Sequence, residues 1–441
     1  MMKFKAGMIS LGCPKNQVDG EILLSKLNDA GFEIVSSIED ADVIIINTCG
    51  FIESAKQEAI ETILEVAEYK NAGLINAIVV TGCLAERYQD EIIKEMPEVD
   101  AVIGIGANSD IVKVCQKALV GIKTSQFLDK CMLPLGDSRL ISTPSHWAYL
   151  KISDGCDNKC SYCAIPSIRG KFRSRKIEDV VSEAKTLASW GVKELILIAQ
   201  DTTKYGLDIY GEYKLDELLE ELVKIDGIQW IRLYYCYPER ITDSLIDVIA
   251  REEKICNYID IPLQHANGVV LKNMNRAGDG ESYRNLVSKM RKKIPDLALR
   301  TTFMVGFPGE TDEQFSDLCN FVKEVKFDKM GSFTFSPEED TPAYDMDNQL
   351  EEDIKLRRQE LLMDIQYSIT EDSNKSKIGK TYKVIIDEYD GENYIGRAYF
   401  DSPEIDSGII IDSDKELKIG EFYNVLINDF DGYDLKGKCL N

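Results

Sequence analysis

Cys156-Asp157-Asn158-Lys159-Cys160-Ser161-Tyr162-Cys163 places three thiols within eight residues. Thiolates this close can wrap one face of a cubane iron–sulfur cluster and ligate three of its four irons. The fourth iron then keeps an open position. A zinc site or unrelated thiols are the plainer alternatives. Cys13, Cys49 and Cys83 form a second set, separated by 36 and 34 residues, each gap about one βαβ unit. Gly12, Gly50 and Gly82 stand beside them and let backbone approach a bulky group closely. Three core cysteines would be the bland alternative. Cys115, Cys236, Cys256, Cys319 and Cys439 fall in helix or strand patterns and read as packing residues, with Cys131 in a connecting segment. His146 and His265 are the only imidazoles, so histidine-based zinc sites and acid–base chemistry have little to work with. His265 reads as a neighbour of the site or as a hydrogen-bonded structural residue. Arg169, Lys171, Arg173, Arg175 and Lys176 follow the cysteine loop and face substrate, a carboxylate or solvent.

The elements that must hold these residues are legible as two alternations. Apolar runs at Phe4–Ile9, Val43–Ile46, Ala77–Val80 and Val99–Ile103 read as buried parallel strands, with amphipathic stretches such as Gln17–Leu27 and Glu53–Tyr69 between them. That is an open parallel α/β sheet, expected over residues 1–122. Cys13, Cys49 and Cys83 each follow a strand, and strand ends of such a sheet share one crevice. Residues 123–146 lose the rhythm and read as a linker. A second alternation over 147–374 has strands at Tyr149–Ile152, Glu194–Ala199, Trp230–Tyr235, Tyr258–Ile261, Leu299–Val305 and Ser332–Phe335. Six βα units make a partial barrel, with the CxxxCxxC loop after its first strand, at the end where barrel sites lie. Residues 375–441 carry short strands between turns and read as a small OB-like β-barrel.

The cysteine loop, with Tyr162 just before its last thiol, resembles that of the radical S-adenosylmethionine superfamily. The resemblance implies that the open iron chelates S-adenosylmethionine and that one electron breaks its sulfonium bond to leave a 5′-deoxyadenosyl radical. It also implies that Tyr162 packs near the adenine and that Gln200, in Ala199-Gln200-Asp201, receives the methionine amino group. Gly306, Phe307 and Pro308 are implied to present backbone to the adenosine. Across the whole chain the motifs resemble the methylthiotransferase family, at Ser10–Asn16, Asn47–Gly50, Cys156–Gly170, Arg173–Arg175, Asp260–His265 and Met274–Arg276. That family implies two 4Fe–4S clusters, held by Cys13, Cys49 and Cys83 and by Cys156, Cys160 and Cys163. It also implies a C-terminal barrel of the kind called TRAM. One S-adenosylmethionine methylates sulfur at the auxiliary cluster, and a second yields the radical that opens a substrate C–H bond.

Charge separates the possible partners. The 441 residues carry a net charge of −24, a field that repels nucleic acid and favours basic proteins, although acidity can also serve solubility alone. No apolar run approaches the about 20 residues of a membrane helix, and Met1–Lys5 leads straight into a strand pattern, so a cytoplasmic enzyme without membrane contact is expected. One branch of the family modifies a tRNA adenosine and the other an aspartate of the twelfth small-subunit ribosomal protein. From Lys375 onward nine basic residues stand against fourteen acidic ones, which suits the ribosomal protein and makes nucleic acid an unfavoured main substrate. Asp401-Ser402-Pro403-Glu404-Ile405-Asp406 also resembles the protein-modifying branch, and its acids are expected to face that partner. An electron donor such as flavodoxin or ferredoxin is implied. A noncatalytic iron–sulfur carrier would keep the cysteines but need no S-adenosylmethionine site.

Overall fold

The computed structural model describes residues 4–440; Met1–Lys3 and Asn441, at the outer ends of the expected first and last domains, lie outside the described residues. The N-terminal sheet is parallel throughout, in the order β2-β1-β3-β4-β5-β6. Its strands are β1 (Lys5–Ser10), β2 (Glu33–Ile34), β3 (Val43–Thr48), β4 (Ala77–Gly82), β5 (Ala101–Ile103) and β6 (Thr124–Gln126). β3 and β4 are buried at every position, because helices cover both faces of the sheet. Helices α1 (Pro14–Asp29), α2 (Glu53–Asn71) and α3 (Cys83–Tyr88) follow β1, β3 and β4. Strand order reverses between β1 and β3, the switch point at which such sheets open a crevice beyond their carboxyl ends.

The second sheet is singly wound and open, ordered β14-β13-β12-β11-β10-β7 and parallel throughout. It comprises β7 (Trp147–Lys151), β10 (Glu194–Ile198), β11 (Trp230–Leu233), β12 (Ile255–Asp260), β13 (Ala298–Val305) and β14 (Lys329–Thr334), with a short ribbon of β8 (Ser153–Asp154) and β9 (Arg173–Ser174) after β7. Leu150, Leu197, Leu233 and Phe303 point outward into one helix-covered core. The inner-face residues Tyr149, Ile198, Tyr234 and Tyr258 pack in a different cluster, with Val18 and Ile22 of α1 and residues of the C-terminal barrel. That barrel is closed, in the order β15-β16-β17-β19-β18, from β15 (Thr381–Tyr389), β16 (Tyr394–Arg397), β17 (Ile409–Asp412), β18 (Phe422–Asp431) and β19 (Asp434–Cys439).

Two expectations change. Thr124–Gln126, inside the stretch expected as a linker, is the edge strand β6, and Arg139 of the same stretch is buried between Glu21 and Glu183 at 2.7 and 2.9 Å. The Asp401–Asp406 segment does not face a partner as a unit. Asp401 is 2% exposed and accepts from Lys329 Nζ at 2.8 Å, Asp406 accepts from the Tyr258 hydroxyl at 2.8 Å, and Glu404 accepts from the Tyr149 hydroxyl at 2.7 Å. These carboxylates plug the small barrel into the inner face of the second sheet. Acids that do face solvent on the small barrel include Glu388, Asp390, Glu392, Asp412 and Asp414.

Candidate functional site

Three adjacent strand ends bring Cys13, Cys49 and Cys83 together. Cys13 is the N-cap of α1, Cys49 follows β3 directly, and Cys83 opens α3 directly after β4. Gly12 has φ +88°, and a Cβ there would lie 2.6 Å from Cys49 Cβ and 2.9 Å from its Sγ. Gly82 has φ +95° and packs against the backbone of Thr48. Only glycine combines this backbone with this closeness. Asn16 ties the loops by donating to the carbonyls of Leu11, Asn47 and Thr48 at 2.8, 3.2 and 3.2 Å. Burial opposes ionisation of Cys13, but the Lys15 and Arg169 cations outweigh it and bring that thiol below its ordinary value. Burial raises Cys49, and pushes Cys83 up to about 12.

The second triad is clamped by segments distant in sequence. Cys156 N–H donates to the Gly170 carbonyl at 3.0 Å, Ser161 N–H to the Met274 carbonyl at 3.0 Å, and the Asn275 amide to the Lys159 carbonyl at 2.6 Å. Met274–Arg276, a motif without an assigned task in the sequence, thus grips the cysteine loop. The Tyr237 hydroxyl lies 3.5 Å from Cys160 Sγ, with the Arg276 guanidinium stacked 4.4 Å from the Tyr237 ring centre. Tyr237 was not foreseen and Arg276 stood only as part of a matching motif; each follows a strand or helix end, where site residues collect. Burial pushes Cys156 up to about 11 and Cys163 up to about 12.

Three thiols at converging strand ends and three more within one eight-residue loop, all unoxidised, are the soft sulfur donors that an iron–sulfur cluster takes, so each donor set fits such a group. Among the described residues no three His, Cys, Asp or Glu side chains stand close enough to hold a single metal ion. The irons of a cubane sit on separate corners and take their sulfurs farther apart.

A cavity of about 690 Å³ opens between the two regions. Its wall includes Phe51 and Ile52, just past Cys49, and Tyr162, just before Cys163. Gln264 also lines it, with φ +69° and an Oε1 that is buried without a partner among the described residues. Gln200 donates to Asp154 at 3.1 Å while its Oε1 is buried without a partner among the described residues, an acceptor suited to an ammonium group. Gly306, Phe307 and Pro308 follow β13 directly. The N–H groups of Gly306 and Phe307 are taken by Glu310 at 2.6 and 3.2 Å, Pro308 has none, and the nearby cavity wall holds Thr302 and Met304. A larger hollow of about 790 Å³ lies between residues 135–139 and the helix Ile177–Ser189, and no cysteine lines it.

His265 is fully buried; its Nδ1 accepts from Asn267 N–H at 2.9 Å. The basic run is mostly internal: Arg169 meets Asp19 and Asp154, Arg173 donates to the carbonyls of Cys131 and Leu133, and Arg175 pairs with Glu183, leaving Lys171 and Lys176 exposed. Cys115, Cys236 and Cys256 are core residues, and Cys131 is exposed.

Comparison with known proteins agrees along the whole chain. The Uncharacterized protein family UPF0004 matches residues 5–104, the radical SAM superfamily residues 150–322, and the TRAM domain residues 378–440. A protein of Clostridioides difficile named ribosomal protein uS12 methylthiotransferase RimO is 51% identical, covering 99% of both chains. One of the same name from Acetivibrio thermocellus is 50% identical over 100% of this chain and 99% of its own. The chain belongs to the RimO family of methylthiotransferases. It is therefore a radical S-adenosylmethionine enzyme, and S-adenosylmethionine and an iron–sulfur cluster are its cofactors. This member of the RimO family joins a parallel sheet, a partial barrel and a TRAM barrel in one chain. A similar fold is found in the methyltransferase TsrM of Kitasatospora setae, solved with tryptophan and an S-adenosylmethionine analogue, at TM-score 0.56 and 14% identity over 75% of this chain and 73% of that one. At that identity the likeness concerns fold alone. No helix among the described residues is long and apolar enough to cross a membrane.

Proposed function

We propose that this enzyme adds a methylthio group to the β-carbon of an aspartate in ribosomal protein uS12, and that it does so with two 4Fe–4S clusters. Cys13, Cys49 and Cys83 hold the auxiliary cluster, and Cys156, Cys160 and Cys163 hold the one that meets S-adenosylmethionine. With S-adenosylmethionine, the bound clusters supply the radical that takes the substrate hydrogen and the sulfur that replaces it. The observation that carries the reading is the cavity whose wall is shared by the residues flanking Cys49 and Cys163. A substrate side chain entering there meets both sites without leaving the protein. Tyr162 packs against the bound cofactor, and the free Gln200 oxygen accepts from its amino group. The chain divides into an auxiliary domain that runs through the edge strand Thr124–Gln126, a connection from there to 146, the radical barrel over 147–374 and the small barrel over 375–441. Flavodoxin or ferredoxin delivers the electron, in the cytoplasm.

The acidic small barrel, with fourteen acids against nine bases from Lys375 onward, favours a basic ribosomal protein over tRNA, because it offers phosphates repulsion and no counterion release. The cluster assignment is tested by iron analysis of anaerobically reconstituted protein. About eight irons per chain are expected from two cubanes, and changing Cys156, Cys160 and Cys163 together to alanine should halve that. Loss of all iron, or of none, would refute the two-site assignment.

A further inference from the structure

Arg169 touches both cysteine-bearing regions. It is 1% exposed, at the end of the helix Ile165–Arg169. Its Nη1 donates to Asp19 of α1 at 2.6 Å and to Asp154 at 3.0 Å, while Nη2 faces Asn16 Oδ1 at 3.3 Å and Cys83 Sγ at 3.6 Å. The other oxygen of Asp154 accepts from Gln200 at 3.1 Å. An arginine buried so completely is tolerated only when its charge is matched. Here Arg169 and Lys151 stand against Asp19 and Asp154, each cation reaching both carboxylates. The network is neutral, so what remains aimed at Cys83 is a fixed N–H donor rather than a free charge.

We propose that Arg169 is a positioning residue that hydrogen-bonds the Cys83 sulfur, sets the reduction potential of the cluster bound there, and ties that cluster's edge to the loop of the other triad. This rests on the reading of Cys83 as a cluster ligand. An N–H···S bond draws electron density from a thiolate and favours the reduced cluster, so removing it moves the potential to more negative values. Lysine keeps the charge, but its point ammonium cannot spread over four partners as the planar fork does.

The test uses the full chain with Cys156, Cys160 and Cys163 replaced by alanine, so that only the auxiliary cluster remains, titrated potentiometrically with EPR detection. Arg169→Gln should keep the parent's iron content and shift the midpoint potential negative, and Arg169→Lys should restore part of the shift. An unchanged potential in a variant with full iron would overturn the proposal. So would loss of iron from both variants, which is the mark of a merely structural residue. A parent without iron would instead refute the ligand reading beneath it, and the proposal with it.

Discussion

A histidine sealed in a core is a latent acid sensitivity, and His265 is one. Burial, assisted by the Arg358 cation, pushes its imidazole down to about 3, whereas an unfolded histidine titrates near ~6.5. Between these values the unfolded chain binds a proton that the folded chain refuses, so stability is full above about pH 6.5 and falls as the pH drops toward 3. The cost is about 2 kcal/mol between pH 7 and 5. Thermal unfolding should therefore be more acid-sensitive in the native sequence than in His265→Asn, and equal pH slopes would contradict this. Gly12 makes a second test. Gly12→Ala must place a Cβ within 2.6 Å of Cys49 Cβ and 2.9 Å of its sulfur and hold φ +88° at a cost of about 1–2 kcal/mol. Iron should fall by about half while S-adenosylmethionine cleavage persists; full iron would show that the three strand ends need not approach so closely. The convergence of Cys13, Cys49 and Cys83 was legible because strand ends are marked by the apolar runs before them. Arg169 was not. A cation in a basic run looks solvated until Asp19, 150 residues away, is folded against it.

At the scale of elements, hydrophobic patterning revealed every strand with a buried apolar run, including all six of the second sheet. It missed β2, β6, β8, β9 and β19, whose sequences Glu-Ile, Thr-Ser-Gln, Ser-Asp, Arg-Ser and Asp-Leu-Lys-Gly-Lys-Cys contain no such run; neighbouring strands recruit them. Nor could it place the turn after β14. There Glu338, 2% exposed, receives Arg87 at 2.9 Å and Lys56 at 3.3 Å, and accepts from Glu53 N–H at 3.0 Å. The contact fastens the last strand of the partial barrel to α2 and α3, opposite the Asp19–Arg169 fastening beside its first strand. Glu338→Ala takes the carboxylate from the buried Lys56 and the half-buried Arg87, which costs up to about 3–5 kcal/mol. A lower melting temperature and faster proteolysis within residues 336–349 are expected. An unchanged melting temperature would mean that the auxiliary domain does not depend on this strap.

Across the whole molecule, the partial barrel is open by construction, and two other domains close it. The auxiliary domain spans the gap near the strand ends and the small barrel fills the inner face from below, so one cavity is left between the triads. The three domains were legible one by one; their mutual docking was not, because it depends on side chains such as Asp401 and Tyr258 that sequence patterning treats as surface and core. Docking also explains why the charge that meets a partner must come from Glu388, Asp390 and their exposed neighbours rather than from Asp401 and Asp406. A basic protein is drawn to such a surface and tRNA is not. The most direct test is mass spectrometry of uS12 and of total tRNA after each is incubated with the reconstituted, reduced enzyme and S-adenosylmethionine. A methylthio group on an aspartate of uS12, with tRNA unmodified, is the predicted result. Methylthioadenosine in the tRNA beside unmodified uS12 would contradict the account.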